Sequence, residues 1–212
     1  LAQIPKFGTS TTTYLELQIR GTGTSIGRVQ PYAFDGLIIE SLKLQNLGIY
    51  YIDLYAFAGL EQYLKELHLD GSKIKVLSIE TISQLLNLEY MGLHNNEIHL
   101  LDPEFFKPFS QLNYIHLYNN QITDLMVNLF ENQENLIGLQ LQHNKIKALH
   151  SGMFDKLVKI ETLYLGSNDI SALPSGIFNK LVLLEKLDLS NNGIGNLPGD
   201  IFFQNKNLTS LN

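Results

Sequence analysis

Gly23-Thr24-Ser25-Ile26-Gly27 spells G-x-S-x-G, the spacing at which hydrolases hold a serine nucleophile on a sharp strand-to-helix turn. The chemistry would be acyl transfer, and it needs a histidine and an acid that the fold brings to the serine. Here the match lies in a Gly/Thr-rich stretch near the start of the chain. A flexible loop is the simpler reading, and no enzyme is expected. No phosphate-cradling loop, H-E-x-x-H pair or calcium-loop spacing occurs, so no cofactor and no metal are implied. The chain has no cysteine, which removes disulfides, thiolate ligands and cysteine nucleophiles together.

A second group of residues recurs at a fixed interval. Glu66, His68 and Asp70 are followed at steps of 24 residues by Tyr90 and His94, then Tyr114, His116 and Tyr118, then Gln140 and Tyr164. Tyrosine offers a large, stiff, amphipathic contact at low entropic cost. Such residues bind only if the fold places them on one face.

The element that does so is a repeat. Leu88-Glu89-Tyr90-Met91-Gly92-Leu93-His94-Asn95-Asn96-Glu97-Ile98 returns from Leu112, Leu136, Ile160 and Leu184. Each copy fits L-x-x-L-x-L-x-x-N-x-I, the leucine-rich repeat signature. The paired leucines alternate with polar residues, which predicts a short strand with one buried face. Successive strands then lie parallel, roughly 4.8 Å apart, and identical positions form columns. Asn96, Asn120, Asn144, Asn168 and Asn192 suit the turn after each strand. A buried amide there both donates and accepts, serving its own turn and the next one. The return segments carry Phe34, Phe57, Phe106, Phe130, Phe154, Phe178 and Phe202, with Ile82 in one gap. They read as a structural spine.

The expected fold is therefore an α/β leucine-rich repeat solenoid. A curved parallel sheet of about eight or nine strands lines the concave face, with turns and short 3₁₀ helices on the convex face. Residues 1–11 form a lead-in; residues 12–212 hold eight repeats and a truncated ninth from Leu208. The second and third units carry Leu47 and Ser72 in place of the asparagine. The first departs most, with Gly21-Thr22-Gly23-Thr24-Ser25 inserted as a loop. Leu208 and Leu211 begin a strand that a further cap or a partner chain is expected to cover.

Bulk properties narrow the partner. Fifteen basic against 21 acidic residues give a net charge of −6, and the lysines and arginines are scattered. That argues against nucleic acid or an anionic membrane as the partner. No run of about 18 apolar residues could cross a bilayer, and Leu1-Ala2-Gln3-Ile4-Pro5-Lys6 lacks the apolar core of a signal peptide.

Leu136 through Leu157 match L-x-x-L-x-L-x-x-N-x-I-x-x-L-x-x-x-x-F-x-x-L at every fixed position. In this the chain resembles the typical 24-residue repeats of extracellular animal proteins: Toll-like receptors, lamprey variable lymphocyte receptors, matrix proteoglycans and chaoptin-like adhesion proteins. The irregular first three units and absent cysteines are also similar to a group of secreted arthropod proteins that includes the non-catalytic subunit of a shrimp luciferase. The resemblance implies a secreted or cell-surface recognition module that binds protein or peptide on its concave face. The alternative is a non-catalytic structural or carrier subunit. Ile4-Pro5 resembles the tail of a disulfide cap that would lie upstream, and on that resemblance the chain is expected to be a fragment. The sequon Asn207-Leu208-Thr209 is the expected glycosylation site.

On that frame the concave columns can be written out. Between the strand leucines stand Glu16, Lys43, His68, Gly92, His116, Gln140, Tyr164 and Asp188; before them Tyr14, Ser41, Glu66, Tyr90, Tyr114, Gly138, Thr162 and Lys186; after them Gln18, Gln45, Asp70, His94, Tyr118, Gln142, Gly166 and Ser190. His143 is expected on the same face. Gly92 should leave a dent between His68 and His116, a pocket floor. Three readings stand for this cluster: a protein- or peptide-binding hot spot, a solvated face, and a metal site. For the last, Asp70 and His94 are lateral neighbours without an evident third ligand, and His68 and His116 are roughly 9–10 Å apart. Acidic residues outnumber basic ones on the face, which favours a basic or mixed partner. With histidines beside Glu66 and Asp70, binding should change between about pH 5 and 7.

Overall fold

Leucine columns carry the architecture. In the computed structural model, which describes residues 13–21 and 25–212, the paired strand residues Leu67 and Leu69, Met91 and Leu93, Ile115 and Leu117, and Leu139 and Leu141 are all fully buried. In chain order the strands are β1 (Thr13–Arg20), β2 (Arg28–Val29), β3 (Ile38–Gln45), β4 (Tyr51–Ile52), β5 (Glu66–His68), β6 (Tyr90–Gly92), β7 (Tyr114–His116), β8 (Gly138–Gln140), β9 (Thr162–Tyr164), β10 (Lys186–Asp188) and β11 (Ser210–Leu211). Nine of them form one parallel sheet in the order β1-β3-β5-β6-β7-β8-β9-β10-β11, and β2 pairs with β4 outside it. The lead-in at 1–11 and the loop residues 22–24 lie outside the described residues.

Neighbouring strands in this sheet are neighbouring repeats, so the ladder continues one residue beyond each strand. Leu93 N donates to His116 O, Leu117 N to Gln140 O and Leu141 N to Tyr164 O, each at 2.8 Å. A parallel pairing of three residues is weak alone. Repetition and the leucine core behind it hold the sheet.

The asparagine column works differently from the expectation. Asn144 Nδ2 donates to Leu141 O of its own turn and to Leu117 O of the preceding unit, both at 3.0 Å, and its Oδ1 accepts from Ile122 N at 3.1 Å. Asn96, Asn120, Asn168 and Asn192 repeat the arrangement. Each amide thus ties its unit back to the one before rather than forward. The carbonyl after each of the strands β6 to β9 thereby accepts from two asparagines; Leu117 O accepts from Asn120 Nδ2 and from Asn144 Nδ2, each at 3.0 Å.

The phenylalanine spine is present. Ring centroids lie 5.7 Å apart for Phe106 and Phe130, 6.3 Å for Phe130 and Phe154, and 6.5 Å for Phe154 and Phe178. Ile82, fully buried, fills the gap between Phe57 and Phe106. The convex side carries hydrogen-bonded turns and, among the described residues, one 3₁₀ helix at Ile79–Thr81; the return segments are too short for more.

The first unit is set two residues further along than its leucines suggest. Leu17 pairs with Leu42 and Ile19 with Leu44, so Gln18 rather than Glu16 stands opposite Lys43, and Arg20 rather than Gln18 opposite Gln45. A shift of two preserves the buried face. It places Leu17 and Ile19 against the core and leaves Leu15 75% exposed. Ser25 of the G-x-S-x-G match donates its hydroxyl to Gly48 O at 2.9 Å, while Gly23 and Thr24 lie outside the described residues.

Candidate binding face on the inner sheet

The strand register lays the inner columns side by side. Lys43, His68, Gly92, His116, Gln140, Tyr164 and Asp188 form one row, and Ser41, Glu66, Tyr90, Tyr114, Gly138, Thr162 and Lys186 the row before it. The ten expected site residues fall into two overlapping groups that share Tyr90 and His116.

The first is a packed aromatic ladder. His68 and Tyr90 stack with centroids 4.3 Å apart, and His94 and Tyr118 with centroids 4.4 Å apart. Tyr90 meets His116 edge-on at 4.9 Å, and its hydroxyl lies 2.8 Å from His116 Nδ1. His116 is 6.1 Å from His94 and 6.2 Å from Tyr118. Asp70 is buried beneath, held by Gln45 Nε2 at 3.2 Å from each carboxylate oxygen, with His94 Nε2 at 3.6 Å and His68 Nδ1 at 4.0 Å.

Packing of this kind sets the charge state. Burial lowers the pKa of His68 and of His94, against the opposing pull of the nearby carboxylates. His116 is pushed down to about 4, by burial first and then by His94 and His68. Burial likewise raises the Tyr90 and Tyr118 phenols. At neutral pH the ladder is an uncharged aromatic ridge. The charge change of His116 therefore falls below the range around pH 5–7 expected from sequence, and those of His68 and His94 are shifted in the same direction, because these rings are packed against one another rather than solvated.

The second group surrounds a recess of about 550 Å³. Glu66, Tyr90, Tyr114, His116, Gln140 and Tyr164, six of the expected residues, line it, and Glu89, Asn113, Gly138 and Thr162 complete it. Glu66 is positioned by the preceding strand of the sheet, β3, its Oε2 accepting from Ser41 Oγ at 2.8 Å. Tyr114, 42% exposed, lies across Gly138, where an added Cβ would come within 2.8 Å of its Cδ1.

Two expectations change here. Gly92 is not a pocket floor, because the Tyr90 ring has folded over it: a Cβ on Gly92 would stand 3.0 Å from Tyr90 Cε1 and 3.4 Å from His68 Nδ1. Gly138, in the unit after His116, lines the recess instead, with the Tyr114 ring across it. His143 does not join the ladder; it sits in the turn after Gln142 with φ 57° and is exposed. None of the four residues that complete the recess was among the ten expected site residues. Glu89 and Asn113 directly precede β6 and β7, whereas Gly138 and Thr162 open strands β8 and β9 in a concave column written out from the sequence. Their signal was the pairing of an aromatic, Tyr114, with a glycine in the next unit.

Elsewhere, Asn207 is exposed and its Nδ2 donates to Val182 O at 3.0 Å. On the outer flank of the second and third units, Tyr50, Tyr51, Leu54 and Val76 are exposed around a recess of about 520 Å³. No helix among the described residues is long and apolar enough to cross a membrane.

A family model described as leucine rich repeat matches residues 62–122, 110–170 and 159–212. Biglycan of Xenopus laevis is 35% identical over 81 residues, 38% of this chain and 21% of that protein. Among solved structures, that of the TLR13–ssRNA13 complex matches with a TM-score of 0.75 at 25% identity, over 95% of this chain and 32% of that one. An internalin, InlF, from Listeria monocytogenes matches with a TM-score of 0.74 at 26% identity, over 90% of this chain and 52% of that one. The chain thus spans 21% of the curated relative's length and 32% and 52% of the two solved chains.

Proposed function

The chain belongs to the leucine-rich repeat family, and from that membership we propose that it is a non-enzymatic recognition module, secreted or displayed at the cell surface, which binds a protein or peptide on its inner sheet. The observation that carries this reading is the convergence of Tyr90, Tyr114, His116, Gln140 and Tyr164 on one recess beside an uncharged aromatic ridge. Clustered aromatic anchors with a polar rim are what a binding hot spot requires. Biglycan and the TLR13 chain are similar proteins that support an extracellular setting, and Asn207 would then carry a glycan.

TLR13 was solved with a single-stranded RNA. Against such a partner here stand a net charge of −6 and a recess lined by Glu66 and Glu89 without a lysine or arginine. Panning a displayed random-peptide library on the full chain tests the reading. Enriched peptides should lose capture on the Tyr114→Ala, His116→Ala, Tyr118→Ala triple variant. Peptides that bind the variant equally, or no enrichment at all, overturn it.

A second reading, a carrier subunit for another secreted chain, is favoured by the outer flank. There Tyr51, Val76 and Leu100 in consecutive units are 54%, 58% and 62% exposed. Co-purification with a catalytic chain, lost on Tyr51→Ser with Val76→Ser, would decide for it.

A further inference from the structure

We infer that the recess over Gly138 is a socket for one basic side chain, lysine or arginine, presented by a short stretch of a partner's backbone. The inference rests on the inner-sheet binding reading and names what that face selects.

Three phenol rings, Tyr90, Tyr114 and Tyr164, wall the recess, and Glu66 and Glu89 stand at its rim. A cation over an aromatic face within about 6 Å of its centre is attracted by the ring quadrupole, and more strongly where water is thinned. The aliphatic stem of lysine or arginine meanwhile packs on the same rings. The rim supplies the counter-charge, and no lysine or arginine lines the recess to neutralise it. Lys65, at the same edge, is hydrogen-bonded to Glu40 at 3.1 Å and reaches Glu89 only through the longer-range charge interaction. His68, whose Nε2 is 3.6 Å from Glu66, is uncharged at neutral pH by burial, as is His116.

The rest of the lining is uncharged too: Asn113, Gln140 and Thr162 offer polar groups without charge, and Gly138 adds no side chain beneath the Tyr114 ring. At about 550 Å³ the space exceeds one side chain and fits the lower half of the usual range for ligand pockets. Side chain and flanking backbone together would occupy it. An acidic ligand would meet two carboxylates and no partner, so the charge pattern selects by sign.

The test titrates the full chain with Nα-acetyl-arginine amide, Nα-acetyl-lysine amide, the uncharged norleucine analogue and the glutamate analogue. Tyrosine ring resonances are followed by NMR. The two cations should bind saturably in the millimolar range, about tenfold more tightly than norleucine, with no binding of glutamate. Glu66→Gln with Glu89→Gln should remove that preference, and about 0.5 M salt should weaken it. Equal binding of arginine and norleucine amides overturns the inference, as does a preference unchanged in the double variant or no saturable shift up to about 50 mM. Peptides that depend on Tyr114, His116 and Tyr118 while neither cation binds would sink the socket and leave the face standing. Cation binding without any face-dependent peptide would uphold the socket and sink the wider reading.

Discussion

The hydroxyl of Tyr90 on β6 and Nδ1 of His116 on β7 are 2.8 Å apart, although the backbone register sets Tyr90 opposite Tyr114 and Gly92 opposite His116. The bond is diagonal. It forms because Gly92 has no side chain to keep the Tyr90 ring off the strand. A phenol donating to Nδ1 of a neutral imidazole fixes the ring's orientation and leaves Nε2 carrying the proton. Strand geometry alone would have spaced these residues as independent columns; one missing Cβ joins them.

That dependence is measurable. In a double-mutant cycle with Tyr90→Phe and His116→Leu, the coupling in denaturant unfolding should be about 1 kcal/mol, the usual net worth of such a hydrogen bond. In a Gly92→Val background the branched side chain would claim the space of the Tyr90 ring, and the coupling should fall close to zero. A coupling equal in both backgrounds would show that Gly92 is incidental.

Acid should destabilise the fold through the same ridge. His116 is pushed down to about 4 from an ordinary value of 6.5, and His68 and His94 are lowered as well, all by burial first. A histidine whose pKa is lower when folded takes its proton more readily when unfolded. Its contribution is complete above the unfolded value and is lost as pH falls towards the folded one. Unfolding free energy should therefore decline from about pH 6.5 to 4. Because all three rings are partly solvated, the combined loss is set at about 1–3 kcal/mol, well below the unscreened figure. Denaturant titrations across that range on wild type and on His116→Gln check it, and the variant should show the shallower slope.

The asparagine column makes a sharper demand. Asn144→Ala would leave Ile122 N without its acceptor inside the core and take one of two asparagine donors from each of Leu117 O and Leu141 O, which keep Asn120 Nδ2 and Asn168 Nδ2. The expected loss is about 2–3 kcal/mol. Asn192 makes the same three bonds with Ile170 N, Leu165 O and Leu189 O, but it is only half-buried. Water can replace the amide there, so Asn192→Ala should cost about 1 kcal/mol. Equal losses at the two positions would contradict the burial argument.

How far such relations can be read from sequence depends on what sets them. Leu117 and Leu141 inside with His116 and Tyr118 outside follow from a period of 24 and the alternation of a strand, and both were legible. So was the sharing of one face by Glu66, Tyr90 and Tyr114. The direction in which a side chain leans was not. Tyr90 covers Gly92, two residues on in its own strand, and Tyr114 covers Gly138 on the neighbouring strand; strand alternation puts each ring on the face without saying which glycine it turns towards. The first unit shows the other limit. Leu15, Leu17 and Ile19 all suit the inner face, and a two-residue slip leaves that face apolar. The pairing that sets Leu17 and Ile19 against Leu42 and Leu44 is not fixed by the alternation.

Backbone strain on the outer side supplies the last test. Gly152 and Gly176 stand two residues before Phe154 and Phe178 with φ 80° and 71°, the left-handed region that suits glycine. The corresponding residues of the first two units are Tyr32 and Tyr55, held at φ 58° and 62° with their rings stacked 6.0 Å apart and half-exposed. A bulky residue there carries about 1–2 kcal/mol of strain, offset in part by the stacked pair. Gly152→Ala isolates the strain, since its Cβ would meet nothing closer than Asp155 Oδ2 at 3.6 Å; the loss should be about 1 kcal/mol. Tyr55→Asn, which tolerates the left-handed region, should change stability by less than about 0.5 kcal/mol, relief of strain balancing the lost stacking. A large loss on Tyr55→Asn would mean that the tyrosine pair, rather than the turn, holds the first two coils together.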